Sequence, residues 1–169
     1  QKFTSEGVYV SKWGTEGTGD GEFRIPHGVA VSSDGSVYVA DVNNDRIQKF
    51  TSEGVFVSQW GTLGTGDGLL NKPYGVEVAF DGSVFVADTE NHRIQKFTSE
   101  GVFVSKWGSE GTGDGQFNAP HGVAVASDGS VYVADLANDR IQKFTSEGVF
   151  VSKWGTYGTG DGEFKGGPY

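Results

Sequence analysis

Three sets of side chains in this 169-residue sequence carry chemistry, and each recurs at a fixed spacing. His27 and His121 both stand between a proline and a glycine, and Tyr74 holds the equivalent place between them. Imidazole near neutral pH either ligates zinc or moves protons. Catalytic zinc takes about three protein ligands and keeps an open position; here a tyrosine interrupts the set, and His92 falls in a different loop. Hydrogen bonding within the loop is therefore the expectation, and no metal site or cofactor is assigned. Asp41, Asp88 and Asp135 each stand five residues before an arginine, at Arg46, Arg93 and Arg140. Three acids and three bases in register suggest proton transfer, but a carboxylate that accepts turn amides or pairs with its arginine explains them as loop-shaping groups. The third set is the loop GTGDG, with Asp20, Asp67, Asp114 and Asp161. One carboxylate per loop falls short of the roughly six to eight oxygens that calcium takes, and the glycines account for a tight crossing.

All three sets recur because the chain itself recurs. The string QKFTSEGV begins at Gln1, Gln48, Gln95 and Gln142, with no insertion or deletion between copies. Residues 1–47 and 95–141 differ only at positions 9, 15, 22, 24, 25, 32, 42 and 43 of the first copy, a likeness that means recent duplication or consensus design. A period in the range of about 20–50 residues marks a unit that buries its apolar faces only by stacking on copies of itself. From Gly28 the unit breaks at Asp34-Gly35, Asn43-Asn44-Asp45 and Glu53-Gly54. These turn signals leave four short β-branched and aromatic runs: Gly28–Ser32, Ser36–Ala40, Arg46–Thr51 and Val55–Trp60. In the second run Val37 and Val39 point one way and Tyr38 and Ala40 the other, so both faces are apolar and both need cover.

Four-stranded antiparallel sheets that are apolar on both faces predict an all-β fold, a β-propeller whose blades pack radially about a channel. Full blades are expected at 28–61, 75–108 and 122–155, after a half blade at 1–14 and before a tail at 156–169. Trp13, Trp60, Trp107 and Trp154 recur in the outer strand, where each is expected to cover the edge of the adjacent blade and keep its indole N–H near water. The variable connections, from fourth strand to first and from second to third, emerge on one face. That loop face carries His27, Tyr74, His121 and the Asp–Arg pairs, which are the candidate ligand-contacting residues.

The elements PHGVAVSSDGSVYVADVNNDRIQKF and FVSKWGSEGTGDGQFNAP resemble the NHL repeat over nearly the whole chain. The resemblance implies a ring that usually has six blades and serves mostly as a scaffold for protein or RNA, with some enzymatic relatives. Related lyases that cleave peptidyl hydroxyglycine hold zinc with histidines near such positions, which makes a metal-dependent lyase one alternative. This chain departs from the pattern by holding too few blades. Its ending, Lys165-Gly-Gly-Pro-Tyr, also departs from Arg24-Ile-Pro-His-Gly at the equivalent place. Open blade faces and unpaired edges drive association, so the expected partner is a second copy, in a homodimer that closes six blades.

Composition narrows the function further. The net charge of −9 repels a phosphate backbone, so nucleic acid is not an expected partner. No apolar run reaches the roughly 18–20 residues that span a bilayer, so no membrane is expected either. The chain has no cysteine, which leaves its compartment unread. It has no methionine and begins within a repeat, which reads as a fragment. Catalysis puts different residues in one asymmetric place, and no unit here holds a Ser-His-Asp spacing, a phosphate-cradling loop or an acid pair that stands out from the repeat. The expected function is a non-enzymatic binding or assembly scaffold, with a protein, peptide or glycan at the loop face. A designed or reconstructed propeller with no ligand is the other alternative.

Overall fold

A computed structural model describes residues 1–165. Residues 166–169, and with them most of the ending contrasted above, lie outside the described residues. The runs delimited by turn signals form strands, and three sheets of four antiparallel strands follow one another along the chain. The first blade comprises β5 (Pro26–Val31), β6 (Val37–Asp41), β7 (Arg46–Phe50) and β8 (Phe56–Trp60). The second comprises β9 (Pro73–Val78), β10 (Val84–Asp88), β11 (Arg93–Phe97) and β12 (Phe103–Trp107). The third comprises β13 (Pro120–Val125), β14 (Val131–Asp135), β15 (Arg140–Phe144) and β16 (Phe150–Trp154). Before them, β1 (Lys2–Phe3) and β2 (Tyr9–Ser11) form a two-stranded half blade.

The inner strand begins at Pro26 rather than Gly28, because Pro26 pairs with Asp41 across a register shift that precedes Val29. The second strand likewise ends on Asp41 rather than Ala40, since Asp41 still pairs with Arg46. The turn expected at Asn43-Asn44-Asp45 is a single 3-10 turn, Val42–Asn44, closed by Asp45 in the left-handed region at φ 51°. In the hairpin from Ser32 to Ser36, Asp34 accepts the Ser36 amide at 2.9 Å and the Ser32 hydroxyl. Those donors hold its carboxyl down to about 2. The glycine-rich crossing is a short parallel ladder in its first copy, β3 (Thr15–Glu16) against β4 (Glu22–Phe23). Single bridges Leu63↔Leu70, Glu110↔Phe117 and Tyr157↔Phe164 repeat it.

Both faces of each blade are apolar, and neighbouring blades supply the cover. Ala30, Tyr38, Ala40 and Ile47 of the first blade bury against Leu70, Val76, Val84, Val86 and Phe97 of the second and its incoming loop. Phe85, Ala87 and Ile94 bury in the same way against Phe117, Val131, Val133 and Phe144. The junction with the half blade is smaller, with Val37, Val39 and Phe50 meeting Trp13 and Phe23. Among the described residues no helix is long and apolar enough to cross a membrane.

The tryptophans tie one blade to the next, with one correction to the sequence expectation. Trp60 lies 5.8 Å from Phe97, centroid to centroid, and covers Gly101 of the second blade; Trp107 repeats this on Phe144 and Gly148. Their indole N–H groups are not near water: Trp60 Nε1 and Trp107 Nε1 are buried without a partner. Magnitudes explain the choice. An orphaned donor costs about 1–3 kcal/mol, whereas covering about 150–250 Å² of an aromatic side chain at about 25 cal/mol/Å² returns about 4–6 kcal/mol.

Candidate functional site

His27, Tyr74 and His121 occupy the second position of β5, β9 and β13, and the fold brings all three together. The cause is glycine. A Cβ on Gly28 would lie 2.5 Å from the Tyr74 carbonyl oxygen, and one on Gly75 would lie 2.3 Å from that of His121. Adjacent inner strands thus run backbone against backbone, which no larger residue permits, and the rings beside those glycines meet. Centroids are 5.1 Å apart for His27 and Tyr74, 5.0 Å for His27 and His121, and 4.0 Å for Tyr74 and His121. The three side chains make ring contacts rather than the loop hydrogen bonds expected of them. His27 is exposed, and Tyr74 and His121 are half-buried. Two imidazoles and a phenol on one polar, aromatic patch suit a planar or hydrogen-bonding ligand. Among the described residues no three His, Cys, Asp or Glu side chains converge as metal ligands would.

Burial, and secondarily the nearby His27, pushes the His121 imidazole below its ordinary value of 6.5. The folded chain therefore binds this proton less readily than the unfolded chain. Stability from this group is complete above about pH 6.5 and is lost as pH falls from there through the depressed folded value. Denaturation midpoints between pH 7 and pH 5 should drop more for the native chain than for a His121→Phe variant, whose ring keeps the contact with Tyr74 but cannot charge. Equal drops would show that the imidazole does not carry the effect.

The Asp–Arg pairs sit inside the loops instead of on the face where the sequence placed them among ligand-contacting candidates. Asp41, Asp88 and Asp135 are 0% exposed, and Arg46, Arg93 and Arg140 are buried beside them. Asp41 Oδ1 accepts the Arg24 amide at 2.7 Å; Oδ2 accepts Arg46 Nε at 2.8 Å, Asn44 Nδ2 at 2.8 Å and Gln48 Nε2 at 3.1 Å. Arg46 then reaches back to the incoming crossing, donating to the carbonyls of Thr18, Gly19 and Glu22 and to Gln59. Arg93 and Arg140 repeat the pattern on Thr65, Gly66 and Leu69 and on Thr112, Gly113 and Gln116. A planar guanidinium is the side chain suited to such a fork. Its role here is to fasten the glycine-rich loop to the blade that follows it.

Sequence reasoning missed a second set of fasteners. Asp45 Oδ1 accepts the Lys72 amide at 2.8 Å, and His92 Nδ1 accepts the Ala119 amide at 3.1 Å. Each ties the 3-10 turn of one blade to the entry of the next inner strand. His92 is thus a structural acceptor, and the available signal was a side chain able to accept at one repeat position, as Asp45, His92 and Asp139 all are. Asn44, Asn91 and Asn138 act alongside, each donating both to the buried aspartate three residues before it, Asp41, Asp88 or Asp135, and to a loop carbonyl, Gly17, Gly64 or Gly111.

The comparisons with known proteins agree with this geometry. Residues 23–50, 70–97 and 117–144 match the NHL repeat, each span running from the fastened loop through the third strand. A 41-residue stretch is 49% identical to the B-box type zinc finger protein ncl-1 of Caenorhabditis elegans, covering 24% of this chain and 5% of that protein. Among solved structures, a catalytically inactive virginiamycin B lyase from Staphylococcus aureus with quinupristin superposes with a TM-score of 0.65 at 18% identity, over 90% of this chain and 46% of that one. A streptogramin B lyase does so with a TM-score of 0.60 at 20% identity, over 75% of this chain and 39% of that one. The chain spans less than half the length of either lyase, and identities this low establish the fold alone. Three matched repeats on three four-stranded blades make this chain a member of the NHL-repeat family of β-propellers.

Proposed function

We propose that this chain is a non-enzymatic binding and assembly scaffold that closes its ring with a second copy of itself. One observation carries the reading: the two faces that mate at each internal junction both occur on the same molecule at least partly open, the first blade's being covered in part by Trp13 and Phe23. Trp154, on the outer strand of the third blade, is 45% exposed, although its equivalents Trp60 and Trp107 are seated on the next blade. Among the described residues Tyr132 packs on Trp154 and meets no further blade, whereas the equivalents Tyr38 and Phe85 are 1% exposed. At the other end, Val29 is 64% exposed where the equivalent Val76 is 4%. Such faces are complementary by construction, because the chain joins them to each other twice within itself. Two copies supply six full blades through two equivalent head-to-tail contacts. The loop face, with the His27, Tyr74 and His121 rings at its centre, is then the surface offered to a protein, peptide or glycan.

Trp13 already holds part of the seat that this contact requires. It packs 6.3 Å from Phe50 and covers Gly54, as Trp60 covers Gly101. Lys2 Nζ donates to the Ser52 carbonyl at 3.0 Å, as Lys49 does to Ser99 at 3.1 Å. Trp13 and the partner's Trp154 therefore compete for one position, and their removal should have opposite effects. Trp154→Ala should weaken self-association by about 2 kcal/mol, the scale of an interfacial aromatic anchor, or about 30-fold in Kd. Trp13→Ala should strengthen it by freeing the seat. Sedimentation equilibrium of both variants is the test, and effects of the same sign would refute the shared-seat contact.

A further inference from the structure

The inner strands of the three blades read PHGVAV, PYGVEV and PHGVAV. Glu77 is the one carboxylate on them, no lysine or arginine accompanies it, and alanine fills its place at Ala30 and Ala124. β9 is the innermost strand of its blade and runs against β5 on one side and β13 on the other. Glu77 therefore stands at a junction internal to the chain, on the wall of the channel about which the blades pack. The side chain is half-buried. Across the ladder it faces Phe85, which is 1% exposed and carries no hydroxyl, whereas Tyr38 and Tyr132 face the two alanines. Lys96 follows on the same face, but its ammonium stands over the Phe85 ring at 5.2 Å and reaches for the Ser146 carbonyl at 3.5 Å. Among the described residues no cation pairs with Glu77. Burial, opposed by the Val78 amide, pushes its carboxyl above the ordinary value of 4.5. A half-buried carboxylate without a counter-ion works against folding, and the alanines at both equivalent positions show that the blade does not require it.

We infer that Glu77 and the Tyr74–His121 ring pair form a binding site for a peptide arginine, whose guanidinium pairs with the carboxylate and whose stem lies along the rings. Tyr74 and Glu77 are three residues apart on β9, about 10 Å at a rise of about 3.3 Å per residue. The charged end of a long side chain thus meets Glu77 while the peptide itself rests at the mouth. There His121 of the neighbouring strand stacks on Tyr74 at 4.0 Å. Guanidinium is the cation suited to both partners, because it forks onto a carboxylate and stacks on aromatic faces, whereas an ammonium is a compact point charge. Glutamate and tyrosine both replace repeat residues in the second blade alone, so the site occurs once per chain. The net charge of −9 draws a cationic peptide toward it. The inference rests on the loop-face reading above, which it narrows to a basic peptide, and does not require self-association.

The probe is the blocked tripeptide Gly-Arg-Gly, titrated into the nitrogen-15-labelled intact chain at about 0.15 M salt, where diffuse attraction is screened. The resonances of Tyr74, Glu77 and His121 should shift together to saturation. Glu77→Ala installs the residue that the other two blades already carry, so the fold is retained, and it should weaken binding at least about tenfold, the scale of a charged hydrogen bond. Tyr74→His, also a repeat residue, should weaken it about threefold. The same tripeptide with citrulline in place of arginine keeps the shape without the charge, and should bind the native chain no better than the arginine peptide binds Glu77→Ala. Absence of saturable binding, unchanged binding by Glu77→Ala, or shifts spread over the acidic loops at Asp67 and Asp114 overturns the inference. Equal binding of both tripeptides at the rings overturns it too, but leaves the loop-face reading standing. Charge-dependent binding by a chain that light scattering finds monomeric supports the site and defeats ring closure instead.

Discussion

Replacing Arg93 with alanine is expected to cost about 3–5 kcal/mol, the scale for breaking a buried ion pair by removing one partner. Asp88 is 0% exposed and would be left buried without its principal cation. The carbonyls of Thr65, Gly66 and Leu69 would lose their shared donor at the same time. Against a total stability of about 5–15 kcal/mol for an ordinary domain, that is a large share. An Arg93→Lys variant separates charge from shape. It restores a cation but not a fork able to reach Asp88 and three carbonyls together, so it should recover only part of the loss. Urea denaturation of both variants reads the outcome, and a loss under about 1 kcal/mol for the alanine variant would mean that the crossing loop is held by something else.

Two equivalent glycines should respond differently to the same substitution. Gly75→Ala places a Cβ 2.3 Å from the His121 carbonyl oxygen and 3.2 Å from the Val123 nitrogen, all backbone atoms that cannot swing aside. Inner strands must separate to admit it, and overpacking of this kind costs about 1–3 kcal/mol or more. At Gly122 the nearest atom is Ala134 Cβ at 3.6 Å, an ordinary contact. Gly122→Ala should be neutral or slightly stabilising, because alanine narrows the unfolded ensemble. Gly75→Ala should also pull apart Tyr74 and His121, now 4.0 Å from centroid to centroid, and shift their aromatic proton resonances. Equal destabilisation by the two variants would contradict strand contact along the axis.

How far these features were legible before the fold was known follows from their range in sequence. Turn dipeptides and alternating apolar residues located the four strands of the first full blade to within two residues, because both signals are local, but not the short parallel ladder of the glycine-rich crossing, β3 against β4. Apolar character on both faces of Val37–Ala40 identified the radial packing, since it counts neighbours without naming them. The reach of Arg46 was not legible. Its partners Thr18, Gly19 and Glu22 lie 24–28 residues back and offer main-chain carbonyls, which every residue carries. The same holds for His92, whose partner is the Ala119 amide. The indole donors of Trp60 and Trp107 were misplaced for a different reason: a residue's preference for a wet polar tip yields when a glycine and a phenylalanine of the next blade enclose the ring. Of the candidate site, the repeat position of His27, Tyr74 and His121 was readable, but the closeness of the rings depended on Gly28 and Gly75 lying against a neighbour's carbonyls.

Association of complementary blade faces is the claim on which the functional reading stands. Multi-angle light scattering of the purified chain across a concentration series tests it most directly. The account predicts a species of twice the 18.0 kDa chain mass that dissociates on dilution. A particle that keeps the mass of one chain at every concentration would contradict it.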